Sequence, residues 1–145
     1  MVKTILQSSK VAPPGGIMSQ GVEVPAGRMV FVSGQVARDL DGSVVGVGDV
    51  IAQTRKVLQN MQSVLAESGA TLDDVVKVTV FVTNLERHFA DIHKVRGEFF
   101  TSGYPASTMV EGKSLVHEDM LIEIEAIAVI QCPYRIKVLV SQLIA

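Results

Sequence analysis

The sequence predicts an α+β or α/β sandwich, and three observations lead to it. Strand, helix, strand, helix and strand patterns follow one another along the chain. The segment Met120–Ile130 is apolar on both faces of an extended strand. The chain has 145 residues, enough for one hydrophobic core and little more.

Taken in order, Met29–Val32 reads as a strand leading into Ser33-Gly34-Gln35. The glycines between Gly42 and Gly48 lack the Lys-Ser/Thr of a phosphate loop and read as a hairpin or loop before a helix. Asp49 is a good N-cap. From Val50, steps of 100° place Val50, Thr54, Val57, Leu58, Met61, Val64 and Leu65 within about 120° of arc. Arg55, Lys56, Gln59 and Ser63 fall opposite, and Gly69 is a stop signal. Val75–Thr83 is β-branched almost throughout, with Val76, Val78, Val80 and Val82 on one face. A second helix is expected from about Glu86 to Phe100, where Phe89, Ile92, Val95, Phe99 and Phe100 recur at spacings of three and four. A turn at Ser102-Gly103-Tyr104-Pro105 precedes a short strand, Ser107–Glu111, and Cys132-Pro133 marks another turn. In Met120–Ile130 nine of eleven residues are apolar, interrupted only by Glu123 and Glu125.

Two helices can cover one face of such a sheet, and little chain is left for the other. Either copies of the chain pack their sheets together or the C-terminal segment folds back as a cover. The composition favours the first: 48% of residues are apolar, 19% are charged and mean hydropathy is +0.35. A lone small domain would need more charge to clothe its outside.

The charge balance, 13 basic against 15 acidic side chains and a net charge of −2, argues against a nucleic-acid-coating protein. The single cysteine, Cys132, has no internal disulfide partner. No apolar run approaches the ~18 residues of a membrane span, and the N-terminal stretch lacks the core of a signal peptide. A cytoplasmic protein is expected, with no membrane partner.

Glu123 is the most informative polar residue. A carboxylate in an apolar strand is costly unless paired or placed at a subunit edge, and there it can relay protons. It can equally be structural, bonded to an arginine or to backbone N–H groups, and Glu125 has the same two readings. His88 and His93 lie five apart and share no helix face, so no metal site is expected. His117-Glu118-Asp119 reads as a solvated turn. Ser33 and Ser107 lack the surroundings of a nucleophile. Gly34 lets a backbone or ligand approach closely, or marks a plain bulge. Met18, Met29, Met61, Met109 and Met120 are read as core or interface filler.

Several stretches together resemble the RidA (YjgF/YER057c/UK114) family: Gln20-Gly21-Val22, Phe31-Val32-Ser33-Gly34-Gln35, Gln53-Thr54-Arg55 with Asn60, Val75–Val82, Gly97-Glu98-Phe99-Phe100, Tyr104-Pro105-Ala106 and Ile122–Val129. The resemblance spans roughly residues 4–130. It implies a chorismate-mutase-like sandwich, one mixed β-sheet with two helices on one face. It also implies a homotrimer with small-molecule clefts between subunits. Archetypal members are cofactor-free hydrolases (deaminases) that convert enamines and imines to oxo acids and ammonia. In that scheme a cleft arginine grips the substrate carboxylate, the residue matching Glu123 activates water, and the backbone around Gly34 lines the cleft. Residues 1–131 then form a single domain, and residues 132–145 are an atypical extension, readable as an extra edge strand or a loose end.

The chain departs from the family at the cleft. Where the archetype reads Pro-Ala-Arg-Ser-Cys-Val-Glu, it has Pro105-Ala106-Ser107-Thr108-Met109-Val110-Glu111, so Ser107 stands for the arginine and Met109 for the cysteine. The cleft tyrosine is replaced by Met18, and an asparagine of the second helix by His93. The resemblance therefore assigns Gly34, Ser107, Met109, Met18 and His93 to substrate binding and Glu123 to catalysis. A serine in place of an arginine fork weakens carboxylate binding roughly 100- to 1000-fold, unless Arg38, Arg96 or Lys113 supplies the charge. The expectation is a divergent member with little activity on 2-imino acids and a less anionic ligand. The alternative is a non-catalytic trimer that binds metabolites or proteins. Ranked last is the family's older label, an RNA-directed translation inhibitor or endoribonuclease, because the chain has no basic stripe.

Overall fold

The structure is a computed structural model that describes residues 3–101 and 103–131. The expected C-terminal extension and the Cys132-Pro133 turn lie outside the described residues, as does Ser102 at the turn before the short strand. A small antiparallel ribbon, β1 (Thr4–Leu6) with β2 (Gly21–Glu23), opens the chain. The main sheet holds β3 (Gly27–Val36), β4 (Val75–Val82), β5 (Ala106–Glu111) and β6 (Ile122–Gln131), in the order β3-β6-β4-β5. Only β4 and β5 run parallel, so the sheet is mixed. Helices α1 (Val50–Ala66) and α2 (Leu85–Phe99) pack on one face, and α2 is the crossover between the parallel pair. No described helix is long and apolar enough to cross a membrane.

Helix α1 starts where expected: the Asp49 side chain accepts from the Ala52 N–H at 3.0 Å. It stops just before Gly69, whose φ of 75° a side chain would resist. Val57, Leu58, Met61 and Leu65 are fully buried against Val78, Val80, Ile122 and Ile124. Burial of each large side chain stabilises by roughly 1.5–3 kcal/mol. Val64, at the edge of the predicted arc, is exposed instead. In α2, Ile92 and Val95 are buried, but Phe89 is 42% exposed rather than a core residue. Arg96, at 1% exposure, is buried beside Ile92 and Val95, within the same helical arc.

The strand β6 divides its residues as its pleat requires. Ile122, Ile124, Ala126 and Ala128 lie under the helices, and Glu123, Glu125 and Ile127 face the other way. Val76 leaves the buried row of Val78, Val80 and Val82, because the β4–β6 register slips between Val75 and Lys77 and sets it in a bulge. The second face of the sheet has no cover among the described residues. Met29 is 54% and Phe31 69% exposed there. Of the other methionines, Met61 and Met120 are core. The His117–Asp119 segment is an exposed turn, and Gly42, Gly46 and Gly48 lie in a loop with positive φ.

Candidate functional site

The predicted site residues fall into two groups on opposite faces of the sheet. The first is built on β3 and β6. Pairing runs from Val32 with Ala126 to Gln35 with Ile124, so β3 carries one extra residue at Ser33-Gly34. This bulge is the plain feature foreseen for Gly34, and it is also a close approach. The Glu123 side chain lies across Gly34: a β-carbon there would overlap Oε1 and stand 2.8 Å from Cδ. Glu123 pairs with Val36 on one side and Phe81 on the other, so its carboxylate rises from the uncovered face. Asn60 of α1 holds the end of β3, its Nδ2 donating to the carbonyls of Val36 (3.1 Å) and Arg38 (3.0 Å). Of the two strand glutamates, Glu123 is half-buried and Glu125 exposed.

The second group lies on the helix side. Ser107 and Met109 are in register with the buried Val78 and Val80 of the parallel neighbour, so they point toward α2. Helix α2 is capped at its start and tied there to β5. Its N-cap, Asn84 (φ 56°), accepts from the Arg87 N–H, and the Glu111 carboxylate at the end of β5 accepts from the Leu85 N–H at 2.6 Å. The loop carrying Met18 is drawn alongside the same strand by the Ser19 N–H, which donates to the Pro105 carbonyl at 3.1 Å. Met18, His93, Ser107 and Met109 thereby line one cavity of about 230 Å³, together with Gly16 and Arg96. A larger cavity, about 390 Å³, adjoins it at Gly16 and Met18 and is bordered by Ile5, Leu6 and Tyr104.

His93 closes the cavity against the N-terminal loop. Its Nδ1 accepts from the Ile17 N–H at 3.0 Å. Gly16 passes so close to the ring that a β-carbon would stand 2.7 Å from Nδ1. Burial, and then the neighbouring Arg96 charge, hold the imidazole below its ordinary pKa. It is neutral at pH 7, with its proton on Nε2, because Nδ1 is an acceptor. The Phe89 ring leans on it, centroids 4.4 Å apart.

Arg96 was one of three possible sources of the missing charge, and the structure separates the three. Arg38 and Lys113 are exposed. The Arg96 guanidinium donates from Nη2 to Ser107 Oγ at 3.0 Å, at the position where the family keeps its arginine. Its Nε is buried without a partner among the described residues. Burial lowers its pKa to about 10, so it stays charged near neutrality. On α2 Arg96 falls within the arc of Phe89, Ile92, Val95 and Phe99, so its burial follows the periodicity of the helix. Among the described residues no cluster of three or more His, Cys, Asp or Glu could hold a metal.

The fold has counterparts among known proteins. The family model described as endoribonuclease L-PSP matches residues 10–130. A RutC family protein of Pyrococcus abyssi is 40% identical over 128 residues, 88% of this chain and 98% of the relative. The 2-iminobutanoate/2-iminopropanoate deaminase of Dermatophagoides farinae is 34% identical over 129 residues, 89% of this chain and 98% of its own. A solved structure of the conserved Rid protein family from Yersinia pestis superposes with a TM-score of 0.82 at 32% identity, covering 90% of this chain and 100% of that one. The chain belongs to the endoribonuclease L-PSP family, the RidA/YjgF group.

Proposed function

We propose that the protein is a cytoplasmic homotrimer that hydrolyses small enamine or imine metabolites in clefts between subunits, with Glu123 activating the water. One observation carries this reading: the two halves of the predicted site stand on opposite faces of one sheet. A single protomer therefore cannot bring Glu123 to the Ser107 cavity, whereas the open face of one copy laid against the next can. The exposed Met29 and Phe31 on that face support burial against a second copy. The name of the Dermatophagoides relative supports the chemistry.

In this scheme water adds to the imine carbon while Glu123 takes one of its protons. The carboxylic acid returns that proton to nitrogen to give a carbinolamine. Glu123 then takes the hydroxyl proton and passes it to nitrogen as the C=O bond forms and the C–N bond breaks with its electron pair on nitrogen. The products are a carbonyl compound and ammonia. A positioned acid–base group of this kind contributes about 100- to 10,000-fold. The test is ammonia release from imines generated in situ by an amino-acid oxidase. Glu123→Gln is expected to lose turnover and keep fold and assembly. A variant that turns over normally would refute the catalytic reading and leave a binding trimer. The net charge of −2 gives no support to an RNA substrate.

A further inference from the structure

Arg96 presents a problem that the family pattern does not pose. It is 1% exposed, and among the described residues its charge has no carboxylate in ion-pair range. Its recorded bond is to a neutral hydroxyl, and its Nε is buried and unpartnered. A buried charge left like this is costly, and natural proteins keep one where a counter-ion arrives.

The cavity beside it is made to receive that counter-ion. Ser107 Oγ accepts from Arg96, so its hydroxyl proton is free to donate into the cavity. Neutral His93 offers Nε2–H. The remaining side chains, Met18, Met109 and Phe89, are apolar. Within one protomer the polar side chains of the cavity are thus donors, and one of them carries a full positive charge. A single guanidinium balances a single negative charge, so a dianion such as phosphate would leave surplus charge in an apolar pocket, all the more where the proposed trimer brings the Glu123 carboxylate of a second copy to it. About 230 Å³ corresponds to some seven or eight waters at ~30 Å³ each, room for a ligand of only a few heavy atoms.

We propose that Arg96 is the anion clamp of this site, taking over from helix α2 the role that Ser107 has vacated on β5, and that the ligand is a small monocarboxylate with an apolar tail against Met18 and Met109. The proposal rests on the proposed function for what happens after binding, and it names the substrate class of that same site. It reverses the sequence-based expectation of a less anionic ligand.

The test uses the intact oligomer with butyrate, its neutral isostere butyramide, and inorganic phosphate, read by calorimetry and by the methyl NMR signals of Met18 and Met109. Butyrate is expected to bind roughly 10- to 100-fold more tightly than butyramide and to shift both methionine signals. Arg96→Gln should abolish the preference and Arg96→Lys should keep part of it. If Arg96→Gln does not fold, the wild-type comparison and Arg96→Lys still decide. Equal affinity for butyrate and butyramide would overturn the clamp, and tighter binding of phosphate would overturn the monocarboxylate class. Ammonia release is scored separately. Butyrate preference without turnover refutes the hydrolase and upholds the clamp; turnover that ignores Arg96 does the reverse.

Discussion

Gly34 and Glu123 are so closely opposed that the glutamate side chain occupies the space a β-carbon on residue 34 would need. The bulge in β3 creates this approach, and the flanking pairs Val32–Ala126 and Gln35–Ile124 hold it in place. Gly34→Ala must push the carboxylate aside. The side chain is half-buried and can swing toward solvent, so stability should change little. A displacement near 1 Å can cost about 100-fold in rate. We therefore expect a large loss of turnover with a melting temperature near wild type, checked by ammonia release and calorimetry.

The Ser107–Arg96 hydrogen bond changes what a reversion to the family pattern should do. From sequence alone, Ser107→Arg ought to raise 2-imino acid activity by restoring the clamp. With Arg96 3.0 Å from Ser107 Oγ, a second guanidinium meets the first in a buried space. Ser107→Arg alone is expected to lower the melting temperature and give no gain in rate. The exchange Ser107→Arg with Arg96→Ser should recover stability and carboxylate preference. Melting curves and butyrate titrations of the two variants check this.

His93 makes stability depend on pH with a definite sign. Its folded pKa lies below its ordinary value of 6.5, because of burial and then Arg96. The unfolded chain therefore takes up a proton first as pH falls. The stabilisation is complete above the unfolded pKa and is lost as pH drops through the folded one. Unfolding free energy from urea titrations should fall from pH 7.5 toward 5.5. His93→Asn retains an acceptor for the Ile17 N–H and removes the titration. Its pH slope should be shallower but not flat, since burial and then Arg87 also lower the pKa of His88. An unchanged slope would contradict this assignment.

Much of the fold was legible because its signals are local. The Asp49 cap, the heptad-like run through Leu65 and the apolar row of β6 each state their structure within a few residues. What escaped depends on distant chain. Gln53 sits outside the obvious apolar stripe, yet it is fully buried. Its amide donates to the Gly46 and Asp119 carbonyls, at 3.1 and 2.6 Å, and its Oε1 accepts from the Leu121 N–H at 2.8 Å. The β1–β2 ribbon has no sequence pattern strong enough to announce it. At the site, the residue types came from family resemblance. Their division between two faces needed the register of β5 against β4 and of β6 against β3. Arg96 was one of three candidates until β5 closed over it.

The central claim is that each working site joins the Glu123 of one chain to the Arg96–Ser107 cavity of another. Co-expression of Glu123→Gln with Arg96→Gln tests it most directly. Each variant alone should be inactive. In randomly assembled trimers of the two, every mixed ring contains one interface with both groups intact, so ammonia release should return to about a quarter of the wild-type rate. A mixture no more active than its parents would contradict the account, because it would mean that both groups act from the same chain or that one of them takes no part.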